Sequence, residues 1–167
     1  MFSVELLLDP ASERVVRDQW ASLADAGLPS AAQHTGPSNR PHITLAVRER
    51  VDAASLAPLA DALPFDLELG GILLFGHHGR FVVTRQVIVS AALLELHRRI
   101  AAIAGPPEPP YANTAPDHWT PHVTLARRVA GDQIEGVLAA VGSVPIAGQA
   151  SGLRVWDAGE KTVTTLR

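Results

Sequence analysis

The chain has 167 residues, a length typical of one compact domain, and we expect a single domain over residues 1–167. Apolar residues make up 47% and charged residues 19%, with both signs spread along the chain, which excludes a disordered polyelectrolyte. The formal net charge of −3 argues against a protein that binds long duplex nucleic acid by neutralising many phosphates, but it leaves a short anionic ligand open.

The first elements follow from capping signals and apolar runs. Residues 2–8 favour a strand, and Asp9-Pro10 then supplies an N-cap followed by proline at the first helical position. The helix is expected over residues 10–26 and should end at Gly27. Residues 28–40 are rich in proline, serine, glycine and asparagine, which predicts a loop.

The next strand carries a polar face. Residues 41–47 alternate, so that one face should present Ile43, Leu45 and Val47 and the other His42, Thr44 and Ala46. Asp52 is placed to cap a helix that extends to about Ala62. Further strands are expected at 65–69, 72–75 and 81–89, the last two joined by the turn Gly76-His77-His78-Gly79.

The second half repeats this order. Ser90 is placed to cap a helix through Ala104, and residues 105–118, with five prolines, predict a long loop. Residues 121–127 alternate like the earlier strand, and Asp132 is expected to start a short helix. Strands at 144–149, 152–157 and 161–166 should close the chain.

Two six-residue segments are nearly identical. Pro41-His42-Ile43-Thr44-Leu45-Ala46 and Pro121-His122-Val123-Thr124-Leu125-Ala126 differ only by Ile for Val. Asp52 and Asp132 follow their histidines at the same offset of ten residues, and 71–75 roughly parallels 152–156. The repeat predicts two related halves packed about a pseudo-twofold axis, with the two motif strands facing each other across a cleft.

The polar face of these strands offers acid/base chemistry. Because imidazole titrates near neutrality, one of His42 and His122 can accept a proton while the other donates one. Thr44 and Thr124 point the same way as their histidines along a strand, and a hydroxyl can donate to a phosphoryl oxygen. The pair of motifs therefore indicates phosphoryl transfer catalysed by two histidines that act as an acid/base pair.

A zinc site is the main chemical alternative for two histidines. Zinc usually takes three or four protein ligands, and the motif faces supply neither thiolate nor carboxylate. The chain has no cysteine, which also excludes disulfides and cysteine nucleophiles. His77 and His78 are expected to be exposed turn residues. We predict no metal and no cofactor.

These segments resemble the motifs of the 2H phosphoesterase superfamily, in particular its LigT-like branch of bacterial 2′-5′ RNA ligases and cyclic phosphodiesterases. Arg40-Pro41-His42-Ile43-Thr44-Leu45 is similar to the first family motif, and Trp119 through Arg127 is similar to the second with its trailing arginine. The resemblance implies an α+β, bilobal duplicated fold in which two antiparallel β-sheets face a central cleft, with the helices outside.

The same resemblance implies roles for individual residues. It gives His42 and His122 the acid/base roles and Thr44 and Thr124 the phosphate contacts, with His122 activating water and His42 protonating the leaving oxygen in ring opening. The reverse reaction would exchange these roles. Arg127 is three residues beyond Thr124 and would reach the phosphate only if the strand ends or bulges there.

Aromatic residues form a second group of candidates. Tyr111 and Trp119 lie in or beside the 105–118 loop, where they could stack on a base or equally pack the lobe. Phe75 and Phe81 are expected in the core. The loops 28–40 and 105–118 are expected to shape selectivity, although their sequences name no base or chain length.

The sequence thus predicts a metal-independent phosphodiesterase for 2′,3′-cyclic phosphates of nucleotides or RNA ends, or for 2′-5′ links. The alternatives are a 2′-5′ RNA ligase, a catalytically weak nucleotide-binding module on the same fold, and a metal-dependent hydrolase. No apolar run approaches the ~20 residues that span a bilayer, and the N-terminus lacks a basic signal-peptide region. We expect a cytoplasmic monomer without a membrane partner.

Overall fold

The computed structural model describes the backbone of residues 1–167 and every side chain other than that of His77. The described chain forms seven strands and four α-helices, joined in places by short 3₁₀ turns. In chain order they are β1 (Phe2–Leu8), α1 (Pro10–Asp25), β2 (His42–Arg48), α2 (Ala53–Leu56), β3 (Phe65–His77), β4 (Arg80–Val87), α3 (Ala91–Ala104), β5 (His122–Ala130), α4 (Ile134–Val141), β6 (Ile146–Asp157) and β7 (Thr162–Leu166).

All strand pairs are antiparallel, and the strand order is β1-β2-β5-β4-β3-β6-β7. Because β1 also pairs with β6, strands β1 to β6 form a closed circuit and β7 extends it at β6. The two motif strands, β2 and β5, meet through the single pair Ile43 and Val123. The predicted α+β antiparallel fold is confirmed, and hydrogen bonds at β2–β5 and β3–β6 join the two predicted sheets into one.

The strands of the two lobes correspond in order and in register. In the first lobe Glu5 lies opposite Thr44 and Arg154; in the second Thr84 lies opposite Thr124 and Leu73. Glu5 and Thr84 are therefore equivalent positions. Arg154 and Leu73 are equivalent as well. This correspondence supports the predicted pseudo-twofold arrangement, with β1, β2 and β6 matching β4, β5 and β3.

Both motif strands bulge directly after the threonine. On β2, Ala46 pairs with Val4 and Thr44 pairs with Glu5, so Leu45 is an extra residue without a partner on β1. Leu125 of β5 is the corresponding extra residue opposite β4. A bulge shifts the side-chain alternation by one residue. The prediction that Ala46 shares the polar face of His42 is therefore wrong, since Ala46 belongs to the buried core.

Predicted breaks within two strands are absent because each strand changes partner there. β3 pairs with β6 up to Leu69 and with β4 from that residue onward. β6 changes from β3 to β1 at Ala150. The segments expected as separate strands at 65–69 and 72–75, and at 144–149 and 152–157, are thus continuous.

The helix starts follow the predicted caps in three cases. Asp9 accepts hydrogen bonds from the amides of Ala11 and Ser12, and Asp52 and Ser90 cap α2 and α3. Asp132 instead lies inside a 3₁₀ turn, and α4 begins two residues later. Among the described residues, no helix is both long and apolar enough to cross a membrane.

The turn between β3 and β4 is shorter than predicted. It consists of His78 and Gly79, whose φ angles of 47° and 72° match a two-residue hairpin turn. The side chain of His78 is exposed, as expected, whereas the expectation for the His77 side chain falls outside the described part of the chain.

Candidate active site

Both motif histidines are oriented by the same backbone contact. Nδ1 of His42 lies 2.7 Å from the carbonyl oxygen of Arg40, and Nδ1 of His122 lies 2.7 Å from that of Thr120. A carbonyl oxygen only accepts, so each Nδ1 must carry the proton and donate it. In the neutral imidazole Nε2 is then the free acceptor, which leaves one basic nitrogen on each ring for chemistry.

His42 has a carboxylate beside its Nε2 atom. Oε1 of Glu5 lies 3.6 Å from that nitrogen, within ion-pair range when the imidazole is protonated. Oε2 of Glu5 accepts a hydrogen bond of 2.7 Å from Nε of Arg154, and Oε1 accepts one of 2.7 Å from Ser3. Glu5 and Arg154 are both almost fully buried. A protonated His42 would thus have a carboxylate partner at Nε2, whereas His122 has no paired carboxylate in the described part of the chain.

His122 has an apolar and cationic environment instead. Its ring lies 4.9 Å from the ring of Phe75, measured between centroids. Burial lowers the pKa of His122 below its usual value, the carbonyl of Thr120 opposes that effect, and the positive charges of Arg127 and His42 lower the pKa further. The neutral, proton-accepting form of His122 is therefore favoured.

The motif threonines have free hydroxyl groups and anchored backbones. The hydroxyls of Thr44 and Thr124 make no hydrogen bond within the described part of the chain, and both residues are half-buried. Their carbonyl oxygens accept indole hydrogen bonds, of 2.9 Å from Trp119 to Thr44 and 3.0 Å from Trp20 to Thr124. Each hydroxyl is thus available to a ligand, while an indole hydrogen bond holds the backbone carbonyl of the same residue.

The two motifs contribute to one pocket of about 180 Å³, which we call the motif pocket. His42 comes from the first motif, and Thr124 and Arg127 come from the second. Arg40 also lines this pocket and forms an ion pair with Glu13 of α1. A phosphoryl group in the motif pocket would meet hydroxyl, imidazole and guanidinium donors together.

The bulge on β5 explains the position of Arg127. Without it, Arg127 would lie on the face opposite to Thr124. Because Leu125 is an extra residue, it shifts the alternation of side chains by one position. Leu125 and Ala126 are therefore both buried, and Arg127 lies on the same face as Thr124, in the motif pocket. Arg127 could reach the cleft only if the strand ended or bulged, and β5 has such a bulge.

The other aromatic candidates differ in their surroundings. One face of Trp119 stacks on the buried His97 ring at 4.0 Å, so base stacking is left to its other face and stays a prediction. Tyr111 lies in a 3₁₀ turn, Pro109–Thr114, where its carbonyl accepts from Thr114, and its contact with a base also stays a prediction. Phe75 was expected in the core, and this is wrong, because it is 36% exposed beside His122. Phe81 packs against the core as expected.

Glu5 and Arg154 were not identified from the sequence. Both are charged residues inside otherwise apolar strand segments, and this was the available signal, because a charge on a buried strand face requires a partner. Their pairing joins residues 149 positions apart, which no local pattern reveals.

Comparison with protein families gives a match to the 2′-5′ RNA ligase superfamily over residues 17–162. The chain belongs to this superfamily. The resemblance to 2H phosphoesterases noted on the two motifs is confirmed, and membership in this superfamily makes the protein a phosphoesterase. A comparison with curated protein sequences finds no match.

Solved structures of the same fold come from bacteria and yeast. TT0787 of Thermus thermophilus matches with a TM-score of 0.57 and 18% identity, over 99% of this chain and 94% of its own. Usb1 of Kluyveromyces marxianus matches with a TM-score of 0.55 and 13% identity, covering 99% and 96%. Escherichia coli LigT without ligand matches with a TM-score of 0.53 and 20% identity, covering 99% and 94%. At these identities the likeness concerns the fold.

Proposed function

We propose that this phosphoesterase opens 2′,3′-cyclic phosphates of nucleotides or RNA ends without a metal, with His122 as general base and His42 as general acid. The observation that carries the proposal is the pair of matched Nδ1–carbonyl contacts combined with unequal surroundings of the rings. The contacts leave Nε2 of each ring for proton transfer. The surroundings favour a neutral His122, and the Glu5 carboxylate is positioned to pair with the proton that the proposal assigns to His42.

The proposed reaction is an in-line displacement at phosphorus. Nε2 of His122 removes a proton from water as the water oxygen bonds to phosphorus, and the bond from phosphorus to one ribose oxygen breaks. That oxygen takes the proton on Nε2 of His42. A phosphomonoester with a free neighbouring hydroxyl results, and the two rings have exchanged protonation states.

Stabilisation of the charged phosphoryl oxygens falls to side chains in and beside the motif pocket. The hydroxyls of Thr44 and Thr124 have no protein partner in the described part of the chain and can donate to the non-bridging oxygens. Arg127 adds a guanidinium on the same side as Thr124. Phe75 and Trp119 offer apolar surface close to the motif strands, where a base could lie.

The crystallised complexes of Escherichia coli LigT support this choice of substrate. That protein has been crystallised with phosphate and with 3′-AMP, at TM-scores of 0.53 and 0.50 to this chain. A 3′-nucleotide is one product that ring opening of a 2′,3′-cyclic nucleotide yields. In 3′-AMP the phosphate lies next to the ribose 2′-hydroxyl, the oxygen that His42 would protonate in the proposed reaction.

The proposal is tested by turnover of 2′,3′-cyclic AMP in the presence of EDTA. His42→Ala and His122→Ala should each lower kcat/KM by about 10²-fold to 10⁴-fold without loss of the folded state. His118→Ala, an exposed histidine outside the motifs, is the matched control and should keep full activity. Normal turnover by either motif variant would refute the acid/base pair.

Turnover, binding and ligation measurements on the same protein distinguish three other functions. Activity abolished by EDTA and restored by zinc would identify a metal-dependent hydrolase. Tight binding of 3′-AMP with no turnover at any pH would identify a binding module. Joining of a 5′-hydroxyl to a 2′,3′-cyclic end would identify the ligase, because the 5′-hydroxyl then replaces water as the nucleophile while His122 and His42 keep the same roles.

A further inference from the structure

A second and larger cavity adjoins the motif pocket at His42, but Thr124 and Arg127 are not part of its lining. Its volume is about 600 Å³, and we call it the β6 cavity. Strand β6 and the following turn form one wall, and the segment 33–39 forms the other. The side chains that matter here are Glu5, His42, Arg154, Trp156 and Lys161. The β6 cavity thus borders the catalytic histidine without being the motif pocket.

Arg154 is a buried guanidinium with unused donors. Its side chain is 6% exposed, and its Nε atom donates to Glu5. Neither Nη atom has a hydrogen-bond partner in the described part of the chain. Neither Nη atom is among the fully buried atoms that lack a partner, so both keep solvent contact and a ligand in the β6 cavity can reach them. The two Nη groups form the planar fork that matches two oxygens of a phosphate.

The second lobe lacks this feature. The position equivalent to Arg154 is Leu73, whose carbonyl accepts from Thr84, the equivalent of Glu5. The fold therefore does not need a buried ion pair at this position. Arg154 and Glu5 break the pseudo-symmetry on one side of the active site only, which is expected when the two sides bind different parts of one asymmetric ligand.

The charge of the β6 cavity suits a phosphate. Glu5 offsets the single positive charge of Arg154, and Lys161, in the turn between β6 and β7, leaves a net positive charge of one among these three groups. Trp156, half-buried on the same wall, supplies a flat apolar surface. The Glu5 carboxylate contacts Arg154 Nε at 2.7 Å through one oxygen and lies 3.6 Å from Nε2 of His42 through the other. One ribose can therefore reach from the Arg154 guanidinium to His42.

We propose that the β6 cavity binds a second phosphate of the substrate, the one on the 5′ side of the ribose that carries the cyclic phosphate, through Arg154 and Lys161. This inference rests on the proposed function, which places the leaving ribose oxygen at His42. It narrows the substrate class to 5′-phosphorylated nucleotides and RNA 3′ ends, in which an upstream phosphate is always present. A substrate with a 5′-hydroxyl, such as 2′,3′-cyclic AMP, is then opened by the same two histidines but binds more weakly than its 5′-phosphorylated counterpart.

Calorimetric binding of three ligands tests the subsite apart from turnover. Adenosine 3′,5′-bisphosphate should bind about ten- to hundred-fold more tightly than 3′-AMP, the range for a charge-assisted contact. Arg154→Lys, which keeps the ion pair with Glu5 but lacks the fork, and Lys161→Ala should each reduce this ratio. The control Arg50→Ala removes an exposed arginine beyond the far end of β2 and should leave it unchanged.

The third ligand, 5′-AMP, separates failure of this inference from failure of the proposed function. It should bind wild type and His122→Ala alike, and weaken about tenfold or more in Arg154→Lys. Equal affinities of the bisphosphate and 3′-AMP in wild type would overturn the subsite while leaving the proposed function intact. Retained 5′-AMP binding that depends on Arg154, without any turnover of cyclic phosphates, would overturn the proposed function and keep the subsite.

Discussion

Oε1 of Glu5 lies 3.6 Å from Nε2 of His42, and the equivalent position in the second lobe is Thr84, a neutral residue. The matching registers of β2 and β5 are consistent with the predicted pseudo-twofold axis, and the two motif histidines have the same backbone contact at Nδ1. Their surroundings differ, because the Glu5 carboxylate lies beside His42 while burial and the charge of Arg127 lower the pKa of His122. Acid/base catalysis needs this difference, because one ring must start protonated and the other neutral.

Replacing Glu5 with Gln should lower kcat for ring opening about tenfold with little change in the affinity for 3′-AMP. Gln keeps the side-chain shape and an oxygen for the Arg154 contact, but it removes the charge that faces the proton of His42. Single-turnover rates and calorimetry separate the two quantities. Glu95→Gln, an exposed carboxylate on α3, is the control. An unchanged kcat in Glu5→Gln would show that Glu5 serves only the buried ion pair.

The acid limb of the pH profile should report His122. Burial and the nearby charges of Arg127 and His42 hold its pKa below the usual value, so its base form persists to lower pH. Arg127→Met removes one of these charges and raises that pKa. Protonation of His122 then begins at higher pH, and the acid limb of kcat/KM moves to higher pH.

The measurement is kcat/KM for 2′,3′-cyclic AMP between about pH 5 and 8, combined with an NMR titration of the His122 ring. Arg127→Lys is the matched control, since it keeps the charge and should leave the limb near its wild-type position. A limb that stays in place in Arg127→Met would contradict the electrostatic role of Arg127 and leave burial as the cause.

Local sequence signals were sufficient for the elements that carry the motifs. The caps at Asp9 and Ser90 act within one helical turn, and the alternation from His42 to Thr44 lies within one strand, so neighbouring residues determine them. The positions of the motif histidines and threonines on two paired strands could therefore be predicted from the amino-acid sequence alone, and their roles stay a prediction. Their repeated spacing also predicted the correspondence between lobes.

Features that depend on partner strands could not be derived in the same way. The bulge at Leu125 exists only relative to β4, yet it decides that Arg127 reaches the motif pocket. The contact of Glu5 with Arg154 depends on the pairing of β1 with β6, near opposite ends of the chain. Phe75 was misplaced for a related reason, because its exposure depends on its position beside β5 near His122.

The motif threonines should contribute to catalysis through their hydroxyls alone. Thr44→Val and Thr124→Val keep the shape of the side chain and the backbone carbonyls that the tryptophans bind. Each should lower kcat/KM about ten- to hundred-fold, because one donor to a phosphoryl oxygen is lost. The melting temperature should stay close to wild type, and Thr165→Val on the exposed β7 is the control. Full activity in both motif variants would remove the threonines from the phosphate site.

Trp20 and Trp119 should each stabilise the motif strand that they contact. Trp20→Phe or Trp119→Phe leaves a threonine carbonyl without its indole donor, and we expect a loss of about 1–3 kcal/mol in the free energy of unfolding from urea titration. Trp156→Phe is the control, because its indole makes no hydrogen bond in the described part of the chain and its loss should be smaller. Because the bulged strands hold the groups that we propose to be catalytic, the two motif-strand variants should also lose activity as those groups become less ordered. Equal stability of all three variants would show that the bulges are held by the strand ladder without the indoles.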